Sequence, residues 1–220
     1  MFVFHRIDDV YAQRHDLMRI LALFERLDIP AILGVIPARL TAEMAAYLAV
    51  RPLFTVFQHG VAHKNYAATG RKDEFPDTRP VDDVARLVAD GRRRLEDGIG
   101  RLVTGYIPPW NTASASLLSA LATLDFTHIS AGRSAVVLGA LKTLPIALDS
   151  LDSYAPPTAK PATATIAELE VALPNRSPVG IVYHIKDLSK ADMVEIESVI
   201  RWSARHAPMP RPWSQFVGAA

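Results

Sequence analysis

Apolar positions come in short unbroken runs separated by longer stretches in which they recur every three or four residues. The runs fall at 2–7, 31–36, 53–57, 102–107, 126–130 and 179–184. Runs of this length, closed by Pro, Gly or polar pairs, predict strands buried on both faces. In between, Leu17, Ile20, Leu21, Phe24 and Leu27 mark a helix over 13–28, which Pro30 closes. Val84, Leu87, Val88 and Leu95 mark another over 81–98, and an amphipathic pattern runs over 190–206. Shorter helices are predicted at 41–49, behind Thr41 as a cap with Glu43 close after it, and at 114–124 and 166–173. Weaker strands fall near 135–138 and 143–147. The stretch 152–165, rich in Pro, Ala and Thr, reads as a surface connection, and Pro208, Pro210 and Pro212 as a terminal wrap.

Strands alternating with helices on short connections predict an α/β fold, a parallel sheet or barrel covered by helices, in one domain spanning 1–220. The exception is 60–80, a long polar stretch of mixed charge that reads either as a functional loop or as a surface excursion. With 220 residues, half of them hydrophobic, the chain can bury a sizeable core. The net charge of +1 and the lack of a basic run argue against a nucleic-acid partner. No apolar run approaches the roughly 18 residues of a membrane span. The chain begins directly on a strand-like run. The expectation is a cytoplasmic protein, or a secreted one whose leader has been trimmed. There is no cysteine, which excludes thiolate catalysis and Cys-based zinc sites and leaves His, Asp and Glu as metal ligands.

Polar residues gather where strands end. Asp8 and Asp9 close the first run, His59 the third and His184 the run at 179–184. Two adjacent carboxylates repel and are costly to bury unless a cation or proton relieves them. In α/β barrels the carboxyl ends of the strands form the functional face. His59 and His63 stand four apart, a spacing that on a helical turn lets two imidazoles share one ion. H-x-x-x-H alone is common, but Asp9 as third ligand completes a two-His, one-carboxylate set with a position open for water, the pattern of catalytic zinc. Zinc, cobalt and nickel would all accept these ligands.

At this point the chain resembles the polysaccharide deacetylases of the NodB-homology type, over about 4–190. The motifs that carry the resemblance are Ile7-Asp8-Asp9-Val10, His59-Gly60-Val61-Ala62-His63, Tyr106-Ile107-Pro108-Pro109-Trp110-Asn111, Asp149-Ser150-Leu151-Asp152-Ser153-Tyr154 and Val182-Tyr183-His184. The resemblance implies a deformed (β/α) barrel binding a divalent metal, zinc first, and a carbohydrate substrate. It implies Asp8 as general base, Asp9, His59 and His63 as metal ligands and His184 as general acid. Tyr106, Pro109, Trp110 and Asn111 would line one side of the groove, and Asp149 and Asp152 the other. The residue types suit acyl hydrolysis: a metal acidifies water, an unligated carboxylate takes its proton and an imidazolium protonates the leaving amine.

Three positions depart from the family pattern. Arg6-Ile7 replaces a Thr-Phe lead-in, Asn111 replaces a glycine, and Ile107 stands where an arginine often pairs with the base. Arg6 or Lys186 would then tune Asp8, and Asp149 or Asp152 would keep His184 protonated. Trp110 serves either as a sugar-stacking wall or as packing. Asn65 and Tyr66 either touch substrate or cap their loop, and Glu74-Phe75 is placed to close that loop over the site. His5, His15, His128 and His206 read as structural or surface residues, and Trp202 and Trp213 as core and tail anchors. The leading expectation is a metal-dependent deacetylase acting on an N-acetylated sugar. The alternatives are a deacylase of a small non-sugar amide and a catalytically silent carbohydrate-binding barrel.

Overall fold

The period-two alternation of a strand sorts its side chains between two faces, and in β1 (Val3–Val10) that sorting sets up the molecule. Val3 and Ile7 face a large apolar cluster, while Phe4 joins a second cluster with Ile32, Phe57, Ile107, Leu144, Ile146 and Val182, contributed by six strands. The second cluster fills a closed barrel. The computed structural model describes residues 1–132, 141–175 and 178–209. Within them the chain runs β1, α1 (His15–Leu27), β2 (Ala31–Val35), α2 (Ala42–Ala49), β3 (Phe54–His59), α3 (Val81–Ile99), β4 (Gly105–Ile107), α4 (Ala115–Ala122), β5 (His128–Gly132), β6 (Lys142–Asp149), β7 (Leu151–Tyr154), β8 (Pro157–Ala159), α5 (Ala162–Asn175), β9 (Val179–Tyr183) and α6 (Lys190–His206). Strands β1 to β6 and β9 pair in that order, all parallel, and β9 returns to β1 to close the barrel. This is the deformed (β/α) barrel expected from the resemblance.

Local chemistry explains most element boundaries. Thr41 caps α2 by accepting from Met44 N–H, Ser114 caps α4 through Leu117 N–H, and Ser189 and Asp192 form a reciprocal capping box at α6. The expected helix at 190–206 is observed with the same bounds.

Two predicted stretches differ. Only Gly105–Ile107 of the run at 102–107 pairs as strand. Leu102 is exposed and Val103 N–H donates to Glu96 at the end of α3, so the chain is still crossing from helix to sheet. The supposed surface connection at 152–165 contains most of the antiparallel hairpin β7–β8 and the start of α5. Its short strands are held partly by α6, since Asp192 accepts from Ala159 N–H and Glu195 from Ala162 N–H, so composition alone did not reveal them. The weak strand near 143–147 is the core of β6. The strand expected at 135–138, Trp213 and the tail from Pro210 onward lie outside the described residues.

The long 60–80 stretch is a loop with a buried middle. Asp73, Glu74 and Phe75 are buried, and Ser114 Oγ donates to the Phe75 carbonyl. No helix among the described residues is long and apolar enough to cross a membrane.

Candidate active site

The first carboxylate pair reaches the barrel mouth through an irregularity. Neighbours on a regular strand point to opposite faces, but the pairing of β1 with β2 shifts register between Ile7 and Val10, and Asp9 has φ 60°. A bulge of this kind re-aims a side chain, and both acids line one cleft. Asp8 is buried beside Gly34, where a Cβ would stand 3.0 Å from Asp8 Oδ1 and 3.4 Å from His59 Cβ. A side chain here would press both groups, which would have to give by a few tenths of an ångström.

Asp8 is held by Arg6. Two residues earlier on the same face of β1, Arg6 is fully buried and crosses the barrel. One guanidinium nitrogen donates to Asp8 Oδ2 at 2.8 Å and to Asn111 Oδ1 at 2.9 Å, and the other to the Ser130 carbonyl and hydroxyl. Burial alone would raise the Asp8 pKa. The Arg6 charge, followed by His59 and His184, holds it below the ordinary aspartate range. Lys186 instead lies 3.7 Å from Asp187. Asp8 Oδ1 has no hydrogen-bond partner among the described residues.

Asp9, His59 and His63 bring one donor atom each to within 4.8 Å of one another. His59 ends β3, and its Nδ1 lies 3.1 Å from the Ile107 carbonyl. A carbonyl only accepts, so Nδ1 carries the proton and Nε2 keeps its lone pair. That Nε2 lies 3.7 Å from Asp9 Oδ1, and His63 Nε2 lies 3.5 Å from the same oxygen. These gaps are too long for hydrogen bonds, but ligands about 2.1 Å from one tetrahedral ion stand roughly 3.4 Å apart. Burial lowers the His59 pKa, which favours the neutral ligand form. The donor set therefore fits a divalent ion. The two histidines do not share a helical turn. Gly60 at φ 60° and His63 at φ 54° fold the loop so that the rings face each other, 4.8 Å between centroids.

Across the mouth stands His184, just beyond β9. Its Nε2 lies 3.8 Å from Asp8 Oδ2 and its Nδ1 3.6 Å from Asp149 Oδ1. The Tyr154 hydroxyl donates to Asp149 Oδ2 and sits 3.3 Å from His184 Nδ1. Burial would lower the His184 pKa, but the Asp149, Asp8 and Asp9 carboxylates raise it above the usual histidine value. Asp149 in turn is held below its ordinary range, burial being outweighed by His184 and Tyr154.

Asp8, Asp9, His59, His63 and His184 line a cavity of about 550 Å³, within the range of small-molecule sites, walled by Trp110 and Lys72 on one side and Leu151, Tyr154 and Pro157 on the other, whereas Asp149, expected on the groove wall, meets it only through His184 and Tyr154. The His63 and Trp110 rings lie 4.6 Å apart. Seven non-glycine described residues have positive φ, and five of them, Asp9, His63, Trp110, Asn111 and Asp187, line this cavity. Such conformations cost about 1–3 kcal/mol each where the residue is not suited to them, and they cluster at functional sites.

Not every expected residue arrives there. Tyr106 is buried on the outer face of β4, packed with Val84, Leu117 and Phe126, because Ile107 takes the inward position and its neighbour must point out. Asp152 is exposed on β7 away from the cavity lining, and Pro109 is buried beside Gly60 rather than lining it. Tyr154, Lys72 and Asp187 were given no role from sequence, and Glu74 and Phe75, expected to close their loop over the site, are buried outside the cavity lining. For Tyr154 the signal was present, since it closes the Asp149–Tyr154 motif.

No protein-family model and no curated protein matches the sequence. Solved structures do. A family 4 acetyl xylan esterase from Clostridium thermocellum in complex with a cobalt ion is 14% identical with TM-score 0.62, the match covering 92% of this chain and 83% of that one. The chain has the family 4 carbohydrate esterase fold. A family 4 carbohydrate esterase from Streptomyces lividans in complex with acetate is 13% identical with TM-score 0.59, over 91% of this chain and 86% of that one. A family 4 pseudoenzyme from Bacillus anthracis is 13% identical with TM-score 0.63, over 94% of this chain and 62% of that one. The fold thus occurs both in esterases and in a protein described as a pseudoenzyme.

Proposed function

We propose that this protein is a metal-dependent deacetylase that removes an N-acetyl group from a carbohydrate, with zinc as the metal. The observation that carries the reading is the opposition, across one cleft, of a two-histidine, one-carboxylate donor set and two oppositely tuned proton-transfer groups. Asp9, His59 and His63 would hold the metal, which when bound would acidify a water molecule and polarise the acyl carbonyl. Asp8, kept ionised by Arg6, accepts the water proton. His184, kept protonated by Asp149, gives a proton to the departing amine through Nε2, the nitrogen on the Asp8 side. Tyr154 orients the Asp149 carboxylate, and Trp110 offers a ring face to a sugar. A related reading, a deacylase of a small non-sugar amide, uses the same groups. It is supported by the finite volume of the cavity.

The test is acetate release from a panel of N-acetylated sugars and simple N-acyl amides, with and without chelator. Acetate appearing only in the metal-loaded samples supports the proposal, and the panel member cleaved separates the two substrate classes. Asp8→Asn should lower turnover by about 10²–10⁴-fold, as loss of a general base does, while zinc retention after dialysis stays at one equivalent. The structural likeness to a pseudoenzyme motivates a second reading, a carbohydrate-binding barrel without turnover. That reading prevails if the metal-loaded protein binds sugars and releases no acetate, with sugar affinity unchanged in Asp8→Asn.

A further inference from the structure

Glu74 is a carboxylate that the chemistry above does not use, and it is buried at 2% exposure. Its two oxygens point into the turn that carries the metal-site histidines. Oε2 accepts from Val61 N–H at 3.0 Å and Oε1 from Ala62 N–H at 2.7 Å, the two amides between Gly60 and His63. Burial raises its pKa, and backbone N–H groups of Ala62, Val61 and Lys64 oppose that rise. The turn is shaped around this carboxylate. Gly60 has φ 60°, and a Cβ there would lie 2.0 Å from Glu74 Oε2 and 2.6 Å from Pro109 Cγ.

Glu74 is itself anchored by the layer of side chains outside β4, the strand next to β3. Phe75 is buried among Val84, Tyr106 and Leu117, and its carbonyl accepts from Ser114 at the start of α4. The next residue, Phe75, is thus held on both counts, and the Glu74 carboxylate reaches from beside it to the turn. His63 sits at φ 54°, a conformation that an unrestrained histidine rarely keeps. Two charge-assisted bonds from the preceding amides restrain it, beside the backbone bonds of Gly60 N–H to the Ile107 carbonyl and Ala38 N–H to the Val61 carbonyl.

We propose that Glu74 is a positioning residue that staples the 60–63 turn, holds His63 in its strained conformation and so pre-forms the metal site. This rests on the metal site proposed above. It also assigns the long 60–80 loop a role: it returns a carboxylate to the histidine turn.

The experiment compares wild-type protein with Glu74→Gln, which keeps the side-chain shape but can accept at one atom only, and with Glu74→Asp, which keeps the charge but falls short. Metal-free samples are read by amide hydrogen exchange at Val61 and Ala62. Cobalt-loaded samples are read by the dissociation constant and by the visible absorption bands of the ion. In Glu74→Gln we expect exchange at these two amides at least tenfold faster, cobalt bound at least tenfold more weakly and shifted bands, with amides of the barrel strands still protected. Glu74→Asp should fall between the two. A purely structural glutamate would lower global stability without moving the bands. Unchanged exchange at both amides in a folded variant overturns the proposal, as do unchanged affinity and bands. If Glu74→Gln fails to fold, the same readings on Glu74→Asp decide. If the wild type itself binds no cobalt, the metal reading fails, and exchange at Val61 and Ala62 still decides whether Glu74 is the staple.

Discussion

At the scale of single residues, the site is defined by two pKa shifts of opposite sign. Asp8 is held below the ordinary aspartate range and His184 above the ordinary histidine value. A base of lowered pKa stays ionised as pH falls, and an acid of raised pKa stays protonated as pH rises. Together they widen the pH window in which both forms coexist. In the reaction proposed above, the alkaline limb of turnover would belong to His184, since its proton is lost as pH rises through its raised pKa. Asp149→Asn removes one of the carboxylates that raise that pKa, so the alkaline limb should move to lower pH while the acid limb stays. A pH profile of kcat for the two proteins measures this, and coincident alkaline limbs would remove Asp149 from its role. The identity of the cation beside Asp8 was open from sequence, with Arg6 and Lys186 both eligible. Arg6 is two residues from Asp8 on one strand face, but its other partners, Asn111 and Ser130, lie 105 and 124 residues away. Which lysine or arginine reaches the carboxylate depended on those distant acceptors.

At the scale of elements, the strands present the chemistry and the departures from regularity aim it. The strand-end positions of Asp8, Asp9, His59 and His184 were legible because a buried run ending on a polar group is a local signal. The register shift in β1, which turns Asp9 beside Asp8, was not, because a bulge is defined only against the partner strand. Nor was the outward aim of Tyr106. β2 contributes no functional side chain at its mouth, but its Gly34 leaves the space that Asp8 and His59 occupy. Gly34→Ala would add a methyl 3.0 Å from Asp8 Oδ1 and 3.1 Å from Ile107 Cδ1. We expect a stability loss of about 1–3 kcal/mol, the usual cost of overpacking, and a fall in turnover larger than the fall in thermal midpoint alone explains. Calorimetry and turnover measured on the same folded sample check this, and a variant of wild-type activity would show that the neighbours yield freely. The hairpin β7–β8 escaped notice because two strands of four and three residues carry too few alternating positions to stand out.

At the scale of the whole molecule, barrel closure is recorded by a buried histidine outside the cleft lining. His5 on β1 receives the Tyr183 hydroxyl of β9 at Nδ1, 3.0 Å away. Its Nε2 lies 3.1 Å from Ser203 Oγ of α6, whose own proton goes to the Ile200 carbonyl. The neutral ring is fully satisfied, and burial pushes its pKa down to about 3. The unfolded chain takes up that proton near pH 6.5, whereas the folded chain takes it up only near 3. Folding therefore loses stability as pH falls through that window, by at most about 1.4 kcal/mol per unit, and the contribution is complete above it. Urea midpoints measured from pH 7 to pH 4 should fall for the wild type and fall less for His5→Gln. Parallel curves would show that other groups govern the acid limb.

By itself, the sequence determined the order of the main strands and helices, the α/β class and the polar residues at the strand ends, because periodicity and strand termination are local properties. Only the tertiary structure decided that Arg6 stands beside Asp8, that Tyr154 joins Asp149 and His184, that Tyr106 turns away and that Glu74 grips the histidine turn. Each of these depends on which distant segments meet once seven strands close on themselves, and no spacing along the chain encodes that meeting.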